Sequence, residues 1–341
     1  MSLARIQDYR LVISIKSIAR DLGISHMTVS RALSGHPNVN AETRRRIVAR
    51  AAALGYVKSS AASVMRGAPT AIVGLLLPNI VNEFYARFAN ALAVLCADLG
   101  FDLVINLTND SAARQADAIR RLRALQARTA IMVPAPGQLA GDRALHEGMR
   151  IIHLIRASDS GQTDTLLFDE RTAIMSAVVH LLDNGHRRIG YIGGSDNLSS
   201  GRERLSAFTA ALASRGLRPD GELIRTGDPL FETGSRCIAE LIAETKIEAV
   251  VCGGFEISRG ALEACLNTGV KFPDDLGFIG FGDLGAYRWI GGGITAIDLP
   301  ADALAERAVA MLNDDQWQNE PQEALPCRLL IRGSTRMRMP H

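Results

Sequence analysis

The sequence predicts an α/β protein with a small all-α head at the N-terminus followed by two doubly wound parallel α/β subdomains. Three observations predict it. Charge is split along the chain: residues 1–66 carry eleven Lys and Arg against three Asp and Glu, net +8, and the remainder holds 27 basic and 33 acidic residues, net −6. Within the basic head, short amphipathic stretches are punctuated by glycine. Beyond Thr70, apolar runs alternate with amphipathic stretches, and the series restarts near Asp169.

Composition narrows the class before any motif is read. A chain of 341 residues and 36.7 kDa suggests two or three domains. At 47% apolar and 22% charged it resembles an ordinary soluble globular protein, so disorder over most of its length is not expected. The longest apolar run is only a few residues, around Leu75–Leu77, too short to span a bilayer. Leu11-Val12-Ile13 is too short for a signal-peptide core. The five cysteines are scattered singly, which reads as buried thiols in a reducing cytoplasm. The seven histidines show no metal spacing. The expectations are a cytoplasmic protein with no membrane partner, no metal and no cofactor.

The head reads as three short helices. Ile18, Ala19 and Leu22 form one apolar face at helical spacing, and Gly23 stops that helix. Ser25 caps a second helix with inner face Val29, Ala32 and Leu33. Two helices joined so tightly make a helix-turn-helix, and the small Ala19 suits a close crossing. His26, Met27, Thr28, Ser30 and Arg31 are left to face outward, groups suited to base edges and phosphates in a major groove, and with the cap Ser25 they are the candidate DNA contacts of the head. A third helix is expected from the cap Asn40 to the stop Gly55, with Ile47, Val48, Ala51 and Leu54 inward and Arg44, Arg45, Arg46 and Arg50 also on it. A basic folded head on a mildly acidic body is the footprint of a polyanion-binding module.

These residues carry a resemblance. Ile18-Ala19, Gly23-Ile24-Ser25, Thr28-Val29-Ser30-Arg31, Leu33, Gly35, Val39, Glu42-Thr43-Arg44 and Leu54-Gly55-Tyr56 are similar to the DNA-binding domain of the lactose/galactose repressor (LacI/GalR) family. The match continues nearly to the end of the chain. The resemblance implies a hinge segment that folds on the operator and wedges an apolar side chain into the minor groove. Here that segment is Ser59–Gly67, with Met65 at the wedge position and Lys58-Ser59 where the family has Pro-Asn.

In the body, strands are predicted at Ala71–Leu77, Phe101–Leu107, Ala130–Val133, Ile151–Ile155 and Thr165–Phe168. A second series follows at Arg188–Ile192, Glu222–Arg225, Ala249–Cys252, Leu276–Phe281, Ile294–Ile297 and Arg328–Ile331, with helical patterns between. The restart implies two subdomains facing one another across a cleft. The resemblance implies the same: a core like that of periplasmic sugar-binding proteins, crossed three times by the chain. The expected division is a head at 12–57, a hinge at 58–69, a first subdomain at 70–168 and 299–325, and a second at 169–298 and 326–341.

Enzyme motifs do not hold up. Gly280-Phe281-Gly282-Asp283-Leu284-Gly285 fits the dinucleotide fingerprint literally, but a poor helix follows it and no complete βαβ unit does. Two rival classes, a solute-binding protein of a transporter and an NAD-dependent enzyme, do not account for the basic head.

The resemblance also marks a cleft. Asn79 and Phe84 fall in the stretch that lines the family's pocket, Ser200 and Arg204 fall where members contact the ligand, and Asp169 lies at a crossing. Three positions depart from the family pattern. Arg156 stands where an Asp is frequent, Gly282 precedes Asp283 where another Asp is common, and Gly254-Phe255 replaces Asn-Asp. Losing carboxylates and gaining a guanidinium favours an acidic ligand. The expectation is a ligand-responsive regulator of transcription, a repressor. It would bind double-stranded operator DNA as a homodimer and sense a sugar acid such as gluconate, or a phosphorylated sugar.

Overall fold

The computed structural model describes residues 14–56, 70–137, 145–156, 164–313 and 324–336. Residues 1–69 and 70–341 form two compact units.

The head begins with α1 (Ile15–Leu22), capped by Ser14, whose hydroxyl accepts from the Ser17 amide while Ser17 Oγ accepts from the Ser14 amide. Gly23, at φ 67, ends it in the left-handed region that glycine enters without a Cβ clash. Ser25 then caps α2 (His26–Leu33), accepting from the Thr28 amide at 3.0 Å. Asn40 caps α3 (Ala41–Ala53), accepting from the Thr43 amide at 2.7 Å. The core is Ile18, Ala19, Val29, Ala32, Val39, Ile47 and Ala51. Val48, expected inside, is 50% exposed, because the inward stripe of α3 runs through Ile47, Ala51 and Leu54 only.

The body holds two six-stranded sheets. The first contains β1 (Ile72–Leu77), β2 (Asp102–Leu107), β3 (Thr129–Met132), β4 (Arg150–Leu154), β5 (Asp164–Asp169) and β11 (Ala324–Pro326). Their spatial order is β11-β5-β4-β3-β1-β2, and every pairing is parallel. The second contains β6 (Ile189–Gly194), β7 (Ile224–Gly227), β8 (Ala249–Gly253), β9 (Gly277–Phe281), β10 (Thr295–Asp298) and β12 (Arg328–Leu330). Its order is β12-β10-β9-β8-β6-β7, parallel except for the terminal β12. The central strands read as continuous apolar runs because both sheet faces are covered by helices.

Those helices are α4 (Glu83–Asp98), α5 (Ala112–Ala124), α6 (Glu170–Asp183), α7 (Ser199–Ser214), α8 (Phe231–Glu244), α9 (Phe255–Asn267) and α10 (Ala301–Asn313). Although late in sequence, α10 packs on α4 of the first subdomain, while β12 two segments later joins the second sheet. The chain therefore passes between subdomains at the end of β5, after β10, and between β11 and β12. Helices α8 and α9 cross in backbone contact through two glycines. A Cβ on Gly234 would sit 2.0 Å from the Ile257 carbonyl oxygen, and one on Gly260 1.9 Å from that of Phe231. In each sheet the strand order reverses beside a central strand, at β1 and at β6, and the crevice beyond the carboxyl ends there is where such folds hold ligands.

Candidate functional site

A cleft opens at those carboxyl ends, with walls from both subdomains. The first subdomain supplies Pro78 and Asn79 after β1, Phe84 and Tyr85 on α4, Asp110 after β2, and Ile155 and Arg156 after β4. The second supplies Gly194 after β6, Ser200 and Arg204 on α7, Gly253, Gly254 and Phe255 around the end of β8, and Phe281 at the end of β9.

Arg156 reaches the cleft through a tight turn. Ile155 has φ 67, and the Arg156 amide donates to the Leu154 carbonyl two residues back at 2.6 Å, closing a three-residue turn. A β-branched residue in the left-handed region carries strain of order ~1–3 kcal/mol, and such strain clusters at binding sites. Arg156 itself is buried; its Nη1 donates to Asp110 Oδ1 at 2.5 Å and to the Pro134 carbonyl at 3.2 Å, and its Nη2 to Asp110 Oδ2 at 3.4 Å. Asp110 follows Asn109 in a pair of left-handed residues (φ 50 and 53), a conformation these short polar side chains tolerate.

Arg204 is the counterpart on the opposite wall. Its Nε and Nη2 grip the two oxygens of Glu170 at 2.7 and 2.5 Å, its Nη1 donates to the Gly253 carbonyl at 2.9 Å, and its guanidinium lies 4.1 Å from the centre of the Phe281 ring. For both arginines burial disfavours the charge, yet the adjacent anionic groups hold the guanidinium above its ordinary value. Each commits three N–H contacts to protein acceptors, which leaves donors for a ligand. Tyr85 lies within range of both pairs. Burial pushes its phenol up, Arg156 and Arg204 pull it down, and Asp110 and Glu170 push it up again. Phe84 stands edge-on to Tyr85 and to Phe168, with ring centres 5.7 Å apart in each case.

Of the expected effector residues, Asn79, Phe84, Arg156, Ser200, Arg204, Gly254 and Phe255 line this cleft. Two do not. Asp169 caps α6, accepting from the Thr172 amide at 3.0 Å, and the carboxylate in the cleft is that of its neighbour Glu170. Asp283 is turned away because Arg332 binds both of its oxygens, at 2.6 and 2.9 Å, and Arg288 binds one at 3.2 Å. Burial pushes the Asp283 carboxyl up, but these hydrogen bonds outweigh it and hold the group below the usual carboxylate value. The fingerprint-like run around Gly280–Gly285 leads into a 3-10 turn (Gly285–Trp289), not a helix that would cradle a pyrophosphate. Sequence reading missed Glu170, Asp110 and Tyr85, each a neighbour in sequence or space of a residue it selected.

In the head, the cap Ser25 and His26, Met27 and Arg31 of α2 are exposed, Met27 by 55%. Thr28 and Ser30 are half-buried, and the Thr28 hydroxyl shares a 2.9 Å hydrogen bond with that of Ser25. The arginines of α3 divide: Arg44 ties down the preceding loop through the His36 carbonyl, Arg50 pairs with Asp21 of α1, and Arg45 pairs with Glu42 of its own helix. Met65 and the hinge lie outside the described residues.

A helix-turn-helix head on a two-subdomain core with a built cleft defines a DNA-binding regulator that carries its own ligand chamber. Comparison with known proteins agrees. Residues 14–59 match a profile of bacterial regulatory proteins of the lacI family, and residues 178–335 match a periplasmic binding protein-like domain. The transcriptional repressor CytR of Escherichia coli is 26% identical over 95% of this chain and 96% of its own length. The regulator PtxS of Pseudomonas plecoglossicida is 29% identical over 96% and 97%. The fold superposes on that of the Lac repressor dimer bound to operator and the anti-inducer ONPF, with a TM-score of 0.83 at 20% identity, over 95% of this chain and 99% of that one. The chain thus carries a LacI-family helix-turn-helix domain and a periplasmic-binding-protein-like domain, and its homologues are transcriptional regulators of the LacI family, not enzymes. Among the described residues no helix is long and apolar enough to cross a membrane.

Proposed function

We propose that the protein is a cytoplasmic repressor that binds its operator as a homodimer and senses a small acidic, sugar-type metabolite in the cleft. Ser25, His26, Met27, Thr28, Ser30 and Arg31 read the major groove, and the effector shifts the balance between two subdomain arrangements by its differential affinity for them. The observation that carries the acidic reading is the presence of two buried guanidinium groups, Arg156 and Arg204, on facing walls of one cleft, each with donor capacity left. A carboxylate or phosphate matches such a fork. An acid would compete with Asp110, the more exposed of the two partner carboxylates, for Arg156.

A second reading is favoured by one observation: both arginines are already neutralised, by Asp110 and Glu170, and paired carboxylates accept from hydroxyls as readily as arginines donate. That arrangement suits a neutral polyol. Thermal-shift titration of the full-length protein separates the two. Gluconate or 6-phosphogluconate should raise the melting temperature, with about 2.7 kcal/mol of stabilisation at a hundredfold excess over Kd. A neutral hexose that outperforms both acids would replace the acidic reading by the neutral one.

A further inference from the structure

We propose that Phe255 is a specificity-determining residue: its ring is a partition that closes an acidic recess off from the effector cleft and so limits the ligand's size and charge. The proposal rests on the reading of the cleft as the effector site. Beside the cleft lies a narrow recess with room for about one water, lined in part by Glu83, Arg87, Asp283 and Asp298. The cleft and the recess share Phe84, Phe255 and Leu299 as walls. Phe255 is the first residue of α9, and its ring lies against Gly282. A Cβ at position 282 would stand 2.3 Å from Phe255 Cδ2 and 2.4 Å from Cε2, and the backbone there has φ +85. The glycine is what gives the ring room to lie across the opening, so Phe255 and Gly282 act as a unit.

The consequence is chemical as well as steric. Three acidic residues and one arginine line the recess, and of these Asp283 is already engaged by Arg332 and Arg288. Carboxylates accept from hydroxyls and repel anions. With the ring in place, a ligand in the cleft meets Arg156 and Arg204 and is screened from these acids. Without it the cleft gains the volume of the ring together with the recess behind it, and the carboxylates exposed there accept from the hydroxyls of a longer sugar acid.

Two measurements on the full-length protein test this. The first needs no ligand: melting temperatures of Gly282→Ala, Phe255→Ala and the double variant. Backbone strain at 282 persists in both backgrounds, but the collision exists only where the ring is present. Gly282→Ala should therefore cost less in the Phe255→Ala background than in the native one; equal losses overturn the partition. The second uses gluconate and lactobionate, the same sugar acid with one galactose attached. The native protein should bind gluconate about tenfold or more tighter than lactobionate. Phe255→Ala should erase that preference, and Phe255→Leu, which keeps bulk at the opening, should retain it. A preference unchanged in Phe255→Ala overturns the proposal. If the native protein binds neither acid, the acidic-effector reading falls and the melting-temperature cycle alone decides whether the partition exists.

Discussion

The outward face of α2 and the walls of the cleft both present arginine, and they present it oppositely. Arg31 is exposed, like His26 and Met27 beside it. Arg156 and Arg204 are buried, and each is clamped by a carboxylate and a backbone carbonyl. A side chain that meets a macromolecule from solvent keeps its hydration until the partner arrives and needs only a rigid helix beneath it. A side chain that meets a small molecule in a closed cleft has lost its water in advance, and an unpaired charge there is expensive. One region stores its specificity in exposure, the other in pre-paired charge.

The largest expected effect comes from breaking that pairing. Arg204→Ala leaves Glu170 buried without its cation, and denaturant unfolding should show a loss of about 3–5 kcal/mol together with loss of the effector response. A replacement of both partners by apolar residues should cost less; an equal cost would mean the pair is not a coupled unit.

The next effect is one of pH and belongs to the body. Burial, helped by His146, lowers the pKa of His153 on β4 from its ordinary 6.5 to about 4. The unfolded chain therefore takes up a proton that the folded one refuses. Stability is full above about pH 6.5 and falls as pH drops toward 4, by about 3 kcal/mol at most. His153→Leu should flatten that part of the curve, and an unchanged curve would place the acid sensitivity elsewhere.

Smaller effects belong to the head. Arg31→Ala should weaken operator binding by about 1–3 kcal/mol if its guanidinium pairs with a base, in a gel-shift or anisotropy titration at fixed salt. Its effect on the melting temperature should be slight, in contrast to Arg204→Ala, and a large one would erase the distinction between the two regions. Ser25→Ala removes the cap of α2 and should cost about 1 kcal/mol of head stability, read by circular dichroism of the full chain at the head transition.

The two regions also differ in how much of them was legible. The head's caps Ser25 and Asn40, its stop Gly23 and its core were readable because each depends on residues within a turn or two. The strands were readable to within about two residues, because continuous apolar runs mark buried parallel strands. Strand β11 was not: three residues ending in Pro326 carry no periodicity, and only pairing with β5 makes them a strand. In the cleft, Arg204 and Phe84 were found at single positions, but Glu170 was passed over for Asp169 and Tyr85 for Phe84. Adjacent residues at a helix start point in different directions, and one becomes the cap while the next enters the cleft.

The amino-acid sequence by itself determined the classes of element, the basic helix-turn-helix, and the presence of two α/β subdomains, because propensity, capping and hydrophobic period are local properties. Only the tertiary structure decided which carboxylate meets which guanidinium, that Asp283 is turned from the cleft, and that the glycine at 282 accommodates the ring of Phe255. Those outcomes depend on strand ends far apart in the chain converging at one crevice, and on the cost of leaving any charge there unpaired, neither of which is written in a neighbouring residue.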